Sequence, residues 1–225
     1  MTGSHDDTAF QRWRNALLEA LDSPDAIMAW QDHRYQFAHE LGELLAGAAD
    51  PDIAPITGHA VYGIYVAGGG LLYVGQTANA RRRLRDLPVG ESHHLAMTVP
   101  PEVWERVIVI AWPSLLAALS AEEAQAAEQL GHATCGLALE YLLQTTYRPV
   151  MLARRRSTGG SWTPRHIETS RSKGAISSAR FPELFNAVQA RWRSLMNAQP
   201  ATARAAVYSD AGRAVIPALL HRATS

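Results

Sequence analysis

Two apolar segments that flank a glycine cluster constrain the fold of this chain most. Residues 61–67 read Val-Tyr-Gly-Ile-Tyr-Val-Ala, and residues 71–77 read Leu-Leu-Tyr-Val-Gly-Gln-Thr. Between them lies Gly68-Gly69-Gly70. β-branched and aromatic residues favour strands, and glycine favours tight turns, so the segment is predicted to form an antiparallel hairpin.

A strongly basic helix is predicted directly after this hairpin. It extends from about Ala78 to Leu87, and Pro88 is expected to end it. Its arginines are Arg81, Arg82, Arg83 and Arg85. Tyrosines beside concentrated guanidinium groups, on a rigid hairpin–helix unit, suit the binding of a phosphodiester.

The bulk properties indicate a globular protein of the cell interior. A chain of 225 residues, 47% of them apolar, can form one core with appended elements or two small domains. The single cysteine, Cys135, excludes an internal disulfide and is typical of a reducing compartment. No apolar run is long enough to span a bilayer, and the polar N-terminus does not resemble a secretory signal. We therefore expect a cytoplasmic protein that makes no membrane contact.

A net charge of zero conceals a strong division of charge along the chain. Residues 1–150 carry 18 acidic and 9 basic groups, a net charge of −9, whereas residues 151–225 carry 3 acidic and 12 basic groups, a net charge of +9. Such asymmetry favours a nucleic-acid-binding surface on the basic part. The alternative is internal pairing of the basic part with the acidic N-terminal helices.

The N-terminal third and the segments after the hairpin favour helices and one further strand. Thr8 is a candidate N-cap for a first helix, and Ser23-Pro24 starts a second one. A short β-branched run after Arg106 predicts a buried third strand. Further helices are expected near 121–130, 134–146 and 182–196. Residues 153–180 lack apolar periodicity; residues 154–161 are predicted to be a flexible basic loop, and a polar stretch continues after them. Residues 201–222 are expected to be weakly helical.

These elements predict an α+β fold in three parts. Residues 1–55 form an acidic helical hairpin, residues 56–152 form the core, and residues 153–225 form a basic arm with C-terminal helices. The arm is expected to hold phosphates through its cations, and Trp162 to stack on an exposed base. The residues expected to contact nucleic acid here are Arg154, Arg155, Arg156, Trp162, Arg165, Arg171 and Lys173.

Glu140 is the carboxylate that stands out in the predicted helix near 134–146. Its neighbours Leu139, Tyr141 and Leu142 are apolar or aromatic. A carboxylate is costly to bury unless it is paired or binds a cation, so Glu140 is a candidate metal ligand. The alternative is an exposed glutamate on a surface stripe. The competing carboxylates Glu122, Glu123 and Glu128 occupy a more polar segment.

The order of these motifs resembles the GIY-YIG nuclease family. Gly63-Ile64-Tyr65 is similar to the first family motif, Tyr73-Val74-Gly75 to the second, and Glu140 followed by Pro149 nine positions later to the third. The resemblance covers about residues 60–152. It implies a small three-stranded antiparallel sheet flanked by helices, and a DNA endonuclease that depends on Mg²⁺ or Mn²⁺. A homodimer is expected if both strands are cut.

The resemblance also implies a role for individual residues. Both motif tyrosines, Tyr65 and Tyr73, would reach the active site, with the first as a general base. A basic residue on the first helix would meet the scissile phosphate; Arg83 fits this place, and Arg82 is the alternative register. Either His93 or His94 would supply an imidazole, which is a better-tuned base at neutral pH than a phenol. Glu140 would bind the metal.

Two departures from the family pattern leave other functions open. The spacing between the tyrosine motifs is short, and Val150-Met151-Leu152 stands where the family commonly has an asparagine. One alternative is therefore a nucleic-acid-binding module of the same fold with weak or no activity, and another is an interaction protein whose basic arm binds a protein. His132-x-x-Cys135 lacks the second pair of a zinc site, and the glycine cluster lacks the Lys-Ser/Thr of a phosphate-binding loop.

Overall fold

The chain folds around a mixed sheet-and-helix core. The computed structural model describes residues 8–48, 53–68, 70–90, 95–152, 155–156, 162–163, 166–200 and 205–223. None of the helices in those ranges combines the length and apolarity needed to cross a bilayer. The predicted α+β class is confirmed.

Helices account for most of the regular structure in the described ranges. Several short 3₁₀ turns lie between them, among them Pro101–Val103 and Trp112–Ala118. The α-helices are α1 (Ala9–Ala20), α2 (Pro24–Ala46), α3 (Ala80–Val89), α4 (Leu95–Thr98), α5 (Ala121–Leu130), α6 (His132–Tyr147), α7 (Lys173–Ser177), α8 (Pro182–Asn197) and α9 (Pro217–Ala223).

The main sheet is antiparallel and has five strands, not the three that were expected. Its spatial order is β2-β1-β3-β7-β6, so β1 lies between β2 and β3. A separate pair, β4 with β5, forms a two-stranded ribbon. The strands are β1 (Ala60–Val66), β2 (Gly70–Thr77), β3 (Trp104–Ile110), β4 (Arg155–Arg156), β5 (Trp162–Thr163), β6 (Ala206–Ser209) and β7 (Gly212–Val215).

The two additional strands come from the C-terminal segment that was expected to be weakly helical. Residues 206–215 instead form a hairpin, and β7 pairs with β3 from Val107↔Val215 to Ile110↔Gly212. The Ala-rich composition suggested a helix, yet β3 has a second edge whose backbone groups need partners. Pairing with that buried edge outweighs the weak helix propensity of the segment.

The two N-terminal helices begin where the sequence predicts. The Thr8 side chain accepts a hydrogen bond from the backbone of Gln11, and the Ser23 side chain accepts one from Ala26, with Pro24 at the first helical position. The C-terminal half of α2 packs on the sheet, where Phe37 and Leu41 are buried. The helical hairpin is therefore anchored through α2.

The central hairpin is confirmed, with a β-bulge. Ile64 pairs with Tyr73 and Tyr65 with Leu71, so Leu72 is an extra residue on β2. A bulge places two consecutive side chains on one face of a strand. Leu72 and Tyr73 accordingly both pack on the α2–α3 side of the sheet.

The sheet separates two apolar cores. One contains Ile64 and Leu84 and lies between the sheet, α2 and α3. The other contains Val74, Leu139 and Trp192 and lies between the sheet, α5, α6 and α8. A residue on β1 therefore belongs to one core or the other according to its position along the strand.

The segment that follows α6 covers the outer edge of β2. The backbone N–H groups of Val150 and Met151 donate to the carbonyls of Leu71 and Leu72, at 3.0 and 2.8 Å. The strand β4 falls within the segment predicted to be a flexible basic loop, and β5 and α7 lie in the polar stretch after it. α7 packs closely on α6, since a Cβ on Gly174 would lie 2.3 Å from the Leu137 carbonyl oxygen.

Candidate functional site

Four polar side chains from four different elements converge at the edge of the sheet. Tyr62 lies on β1, Tyr73 on β2, Arg83 on α3 and Glu140 on α6. The rings of Tyr62 and Tyr73 have centroids 6.1 Å apart and are tilted by 37°. The charges of Arg83 and Glu140 both act on the hydroxyl of Tyr62. We call these four residues the polar cluster.

Tyr62 is the buried centre of the polar cluster, with only 1% of its surface exposed. Burial is the main cause that raises its pKa above 10; Tyr73 and the Glu140 carboxylate also raise the pKa, and the Arg83 guanidinium opposes them. A hydrogen bond with the Tyr73 side chain adds to the increase.

Gly75 makes the approach of the two phenols possible. It lies opposite Tyr62 in the strand register. A Cβ at this position would lie 2.7 Å from the Tyr62 hydroxyl oxygen and 2.8 Å from Cε1 of Tyr73. Real Cβ atoms do not approach that closely, so the rings sit where only a glycine leaves room.

Gln144 holds the carboxylate of Glu140 beside the sheet. The two residues are one helical turn apart on α6, and Gln144 Nε2 donates to Glu140 Oε1 at 3.3 Å. The same amide nitrogen donates to the carbonyl of Val74 at 3.1 Å, and Gln144 is 95% buried, with a relative exposure of 5%. Glu140 is half-buried, so it is not the exposed surface glutamate that was the alternative.

The arginines of α3 divide between this cluster and other partners. Arg83 is half-buried and acts on Tyr62. Arg82 is largely exposed and pairs with Asp86, and Arg85 pairs with Glu43 of α2. Arg81 is exposed. The helix therefore presents Arg83 to the polar cluster and Arg81 and Arg82 to solvent, whereas Arg85 lies against α2.

Tyr65, the predicted first tyrosine of the site, lies on the other face of β1. Its hydroxyl accepts a hydrogen bond of 2.8 Å from Trp192 Nε1 in the α5–α6–α8 core. Burial raises its pKa above 10. Tyr65 is three residues from Tyr62, and an odd separation on a strand places two side chains on opposite faces. The structure thus brings Tyr62, not Tyr65, to Tyr73.

Sequence reasoning missed Tyr62 although a signal was present. The motif Gly63-Ile64-Tyr65 points to Tyr65, but its letters carry no information about which face of the strand that side chain occupies. Alternation along the predicted hairpin would have shown that one of Tyr62 and Tyr65 must point away from Tyr73. The bulge at Leu72 decides which one, and a bulge is not visible in the sequence.

Other residues expected at the site are only partly described. His93, His94, Arg154 and Arg165 lie outside the described residues. Arg155, Arg156 and Trp162 are placed as backbone of the β4–β5 ribbon. Arg171 and Lys173 are exposed. Lys173 is the first residue of α7, and α7 packs against α6 at Leu137, three residues before Glu140.

The donor set of the polar cluster fits a hard cation that keeps most of its water. Glu140 supplies one carboxylate, and within the described ranges no group of three or more His, Cys, Asp and Glu side chains forms a cage. Mg²⁺ is commonly bound by one or two carboxylates together with waters and substrate phosphates. One carboxylate beside Arg83 is consistent with that mode of binding and not with a structural zinc site.

The chain matches no protein-family model, no curated protein and no solved structure.

Proposed function

We propose that this protein is a metal-dependent endonuclease that hydrolyses DNA phosphodiester bonds in the manner of GIY-YIG nucleases. The observation that carries the proposal is the convergence of two phenols, a guanidinium and a carboxylate from β1, β2, α3 and α6. Phosphodiester hydrolysis needs a means to accept a proton, a cation at the developing charge and a fixed backbone geometry. The polar cluster offers a group for each need.

Arg83 and Glu140 have complementary roles in this proposal. Arg83 donates to the non-bridging oxygens of the scissile phosphate, where negative charge increases in the transition state. Glu140, held by Gln144, binds Mg²⁺ or Mn²⁺. When bound, such an ion supplies Lewis-acid neutralisation of the phosphate.

The tyrosines act as a donor–acceptor pair. Burial keeps Tyr62 protonated at neutral pH, so it donates to Tyr73 instead of serving as the base. The role of general base expected of the first tyrosine therefore passes to Tyr73, whose oxygen accepts that hydrogen bond, or to His93 or His94. Tyr65 holds Trp192 and takes no part in the chemistry.

The basic arm remains the proposed source of affinity for DNA. Arg171 and Lys173 are exposed beside α6, where a strand that reaches Glu140 would pass. Each phosphate that the arm neutralises on duplex DNA would contribute about 0.9 to the log–log salt slope of binding. Cytoplasmic location and a dimer that cuts both strands belong to the same proposal.

The decisive experiment compares Glu140→Gln with Glu122→Gln. Purified protein is incubated with labelled duplex, single-stranded and branched DNA, with and without Mg²⁺ or Mn²⁺. Glu140→Gln should abolish cleavage while binding persists, because the carboxylate acts mainly on the transition state. Glu122 is exposed on α5 and offers a matched control that should leave cleavage unchanged.

The outcomes separate the proposed enzyme from its alternative. Cleavage by Glu140→Gln within about tenfold of wild type would remove Glu140 from the mechanism. Salt-dependent binding by the wild-type protein without cleavage under any metal would favour an inactive nucleic-acid-binding module. Glu123 is unsuitable as a control because its carboxylate accepts hydrogen bonds from the backbone of Glu183 and Leu184 and caps α8.

A further inference from the structure

A second polar site adjoins the polar cluster at the C-terminal end of α6. It is a cavity of about 330 Å³, within the size range of small-ligand sites, and Gln144, Arg148, His166 and Glu168 lie along its wall. Gln144 belongs to both places, because its amide nitrogen bonds Glu140 while its side chain borders this cavity. Gln144 therefore links the wall of this cavity to the proposed catalytic carboxylate through one hydrogen bond.

Arg148 has an unfavourable backbone conformation at this cavity. Its φ is 47°, in the left-handed region, and among the described residues it is the one non-glycine with a positive φ. Glycine or asparagine normally occupies such a helix C-cap, since a Cβ is strained there. Strain of this kind tends to be retained where the side chain itself has a use.

The side chain of Arg148 is available for exchange of partners. Its guanidinium pairs with Glu168 at 3.3 Å, but the two side chains are 80% and 76% exposed. Exposed ion pairs contribute little to stability. A phosphate binds a guanidinium through two parallel charged hydrogen bonds and would displace the carboxylate.

The spacing along α6 relates this cavity to the cleaved bond. Glu140 and Gln144 are one turn apart on α6, and Arg148 follows the helix as its left-handed C-cap residue. Glu140 and Arg148 are two turns, or about 12 Å, apart. A phosphate on Arg148 is therefore a different phosphate from the scissile one at Glu140.

We propose that this cavity binds a flanking nucleotide of the substrate strand, with its phosphate on Arg148 and its base against Gln144 and His166. The inference rests on the nucleic-acid-binding part of the proposed function and not on cleavage, because it requires a nucleic-acid strand that crosses the polar cluster. It adds a specificity site for an unpaired nucleotide, since a base enters such a cavity only when it leaves the stack. The Glu168 carboxylate competes for Arg148, and the incoming phosphate must replace it.

The test measures binding without cleavage. Fluorescence anisotropy of a labelled 12-nucleotide single strand, in metal-free buffer at several salt concentrations, is compared for wild type, Arg148→Gly, Glu168→Gln and Arg193→Ala. Arg148→Gly should weaken binding about tenfold and reduce the salt slope by about 0.7. Its thermal midpoint should not fall, because glycine relieves the strain. Glu168→Gln should strengthen binding about threefold.

Arg193→Ala is the matched control for loss of one positive charge. Arg193 is exposed on α8, where its guanidinium bonds Gln189. Equal losses in Arg148→Gly and Arg193→Ala would mean that net charge alone matters and would overturn the proposal. Weaker or unchanged binding in Glu168→Gln would also overturn it.

A base-by-base test addresses the nucleotide itself. An abasic site moved along the single strand should weaken binding by wild type at one position, and this position dependence should disappear in Arg148→Gly. A uniform effect at every position would contradict a nucleotide cavity. These measurements do not depend on turnover, so absence of cleavage would refute the proposed function and leave this inference standing.

Discussion

Tyr62 and Tyr65 are three residues apart on one strand and occupy opposite environments. Tyr62 is hydrogen-bonded to the phenol of Tyr73, and the charges of a guanidinium and a carboxylate act on it. Tyr65 accepts from the indole of Trp192 within an apolar core. Each face also has an aromatic ring packed over a glycine, Tyr62 over Gly75 and Trp192 over Gly63.

The comparison separates two faces of the same hairpin: the cluster face, which carries Tyr62 and the polar cluster, and the structural face, which carries Tyr65 and Trp192. On both faces burial raises the pKa of the tyrosine, so burial alone does not identify a site. The difference is the set of charged neighbours: Arg83 and Glu140 come from separate helices, and the charges of both act on Tyr62. Polar groups gathered from distant parts of a chain favour function, whereas a single satisfied hydrogen bond favours stability.

The largest expected effect is a loss of stability from a substitution on the structural face. Trp192→Ala should reduce the free energy of unfolding by about 3–5 kcal/mol, because a fully buried ring that also stacks on Tyr147 is lost. Cleavage per folded molecule should stay near wild type. Urea unfolding measures the first quantity, and a single-turnover assay at low temperature measures the second. A large fall in turnover of folded protein would mean that the two faces are not separable.

Deleting the hydroxyl of Tyr62 or of Tyr65 should have opposite effects on cleavage and stability. Tyr62→Phe should reduce cleavage about 100-fold with little change in stability, because the donor to Tyr73 is removed. Tyr65→Phe should leave cleavage unchanged but cost about 1–3 kcal/mol of stability, because Trp192 Nε1 loses its acceptor. Single-turnover rates and urea unfolding are measured for both variants. The reverse pattern would return the catalytic role to Tyr65.

Substitutions at Gly75 and at Gly68 test the close packing of Tyr62 and Tyr73 on the cluster face. Gly75→Ala should destabilise the protein by about 1–3 kcal/mol and lower cleavage about tenfold, since the new methyl group displaces Tyr62 and Tyr73. Gly68→Ala is the control: its φ is 70° but nothing lies near its Cβ, so it should cost only about 1 kcal/mol and leave cleavage intact. Thermal unfolding and cleavage assays on both variants distinguish crowding from backbone strain.

The smallest effect concerns alkaline stability. Tyr62 and Tyr65 have folded-state pKa values raised above the unfolded value of about 10. As pH rises past 10, the unfolded state releases phenol protons that the folded state keeps, so the free energy of unfolding falls. Tyr62→Phe should reduce this loss more than Tyr65→Phe, because Tyr62 is more buried. Urea midpoints between pH 8 and 11 provide the comparison; equal slopes would contradict it.

Much of the fold follows from local signals in the sequence. The hairpin, the basic helix and the capped N-terminal helices each depend on nearby residues, such as Ser23 and Pro24 at the start of α2. The strands β6 and β7 do not, because each has four residues and gains its stability from pairing that ends on distant β3. A helix-favouring composition misleads where tertiary pairing determines the structure.

The candidate site was predictable only in part, because it too depends on pairing between distant segments as well as on local signals. The sequence singled out Tyr73, Arg83 and Glu140, which the structure places around one phenol. That phenol is Tyr62 because of one extra residue, Leu72, which changes the register between two strands. Gln144 had no sequence signal, since its importance comes from an amide that bridges two elements. Gly75 was part of the second motif, but its reason, the room that a missing side chain leaves for Tyr62 and Tyr73, is visible only in the structure.

The position of β3 has a consequence for the time course of folding. Val107 pairs with Val215, and on the opposite edge the same residue pairs with Ile64. The two partners are therefore joined to β3 by loops of very different length, and the longer loop closes later. Until the longer loop closes, a folding chain that has already formed the β1–β2 hairpin and paired it with β3 exposes the other edge of β3, an apolar strand. That interval is when intermolecular strand pairing competes with native folding.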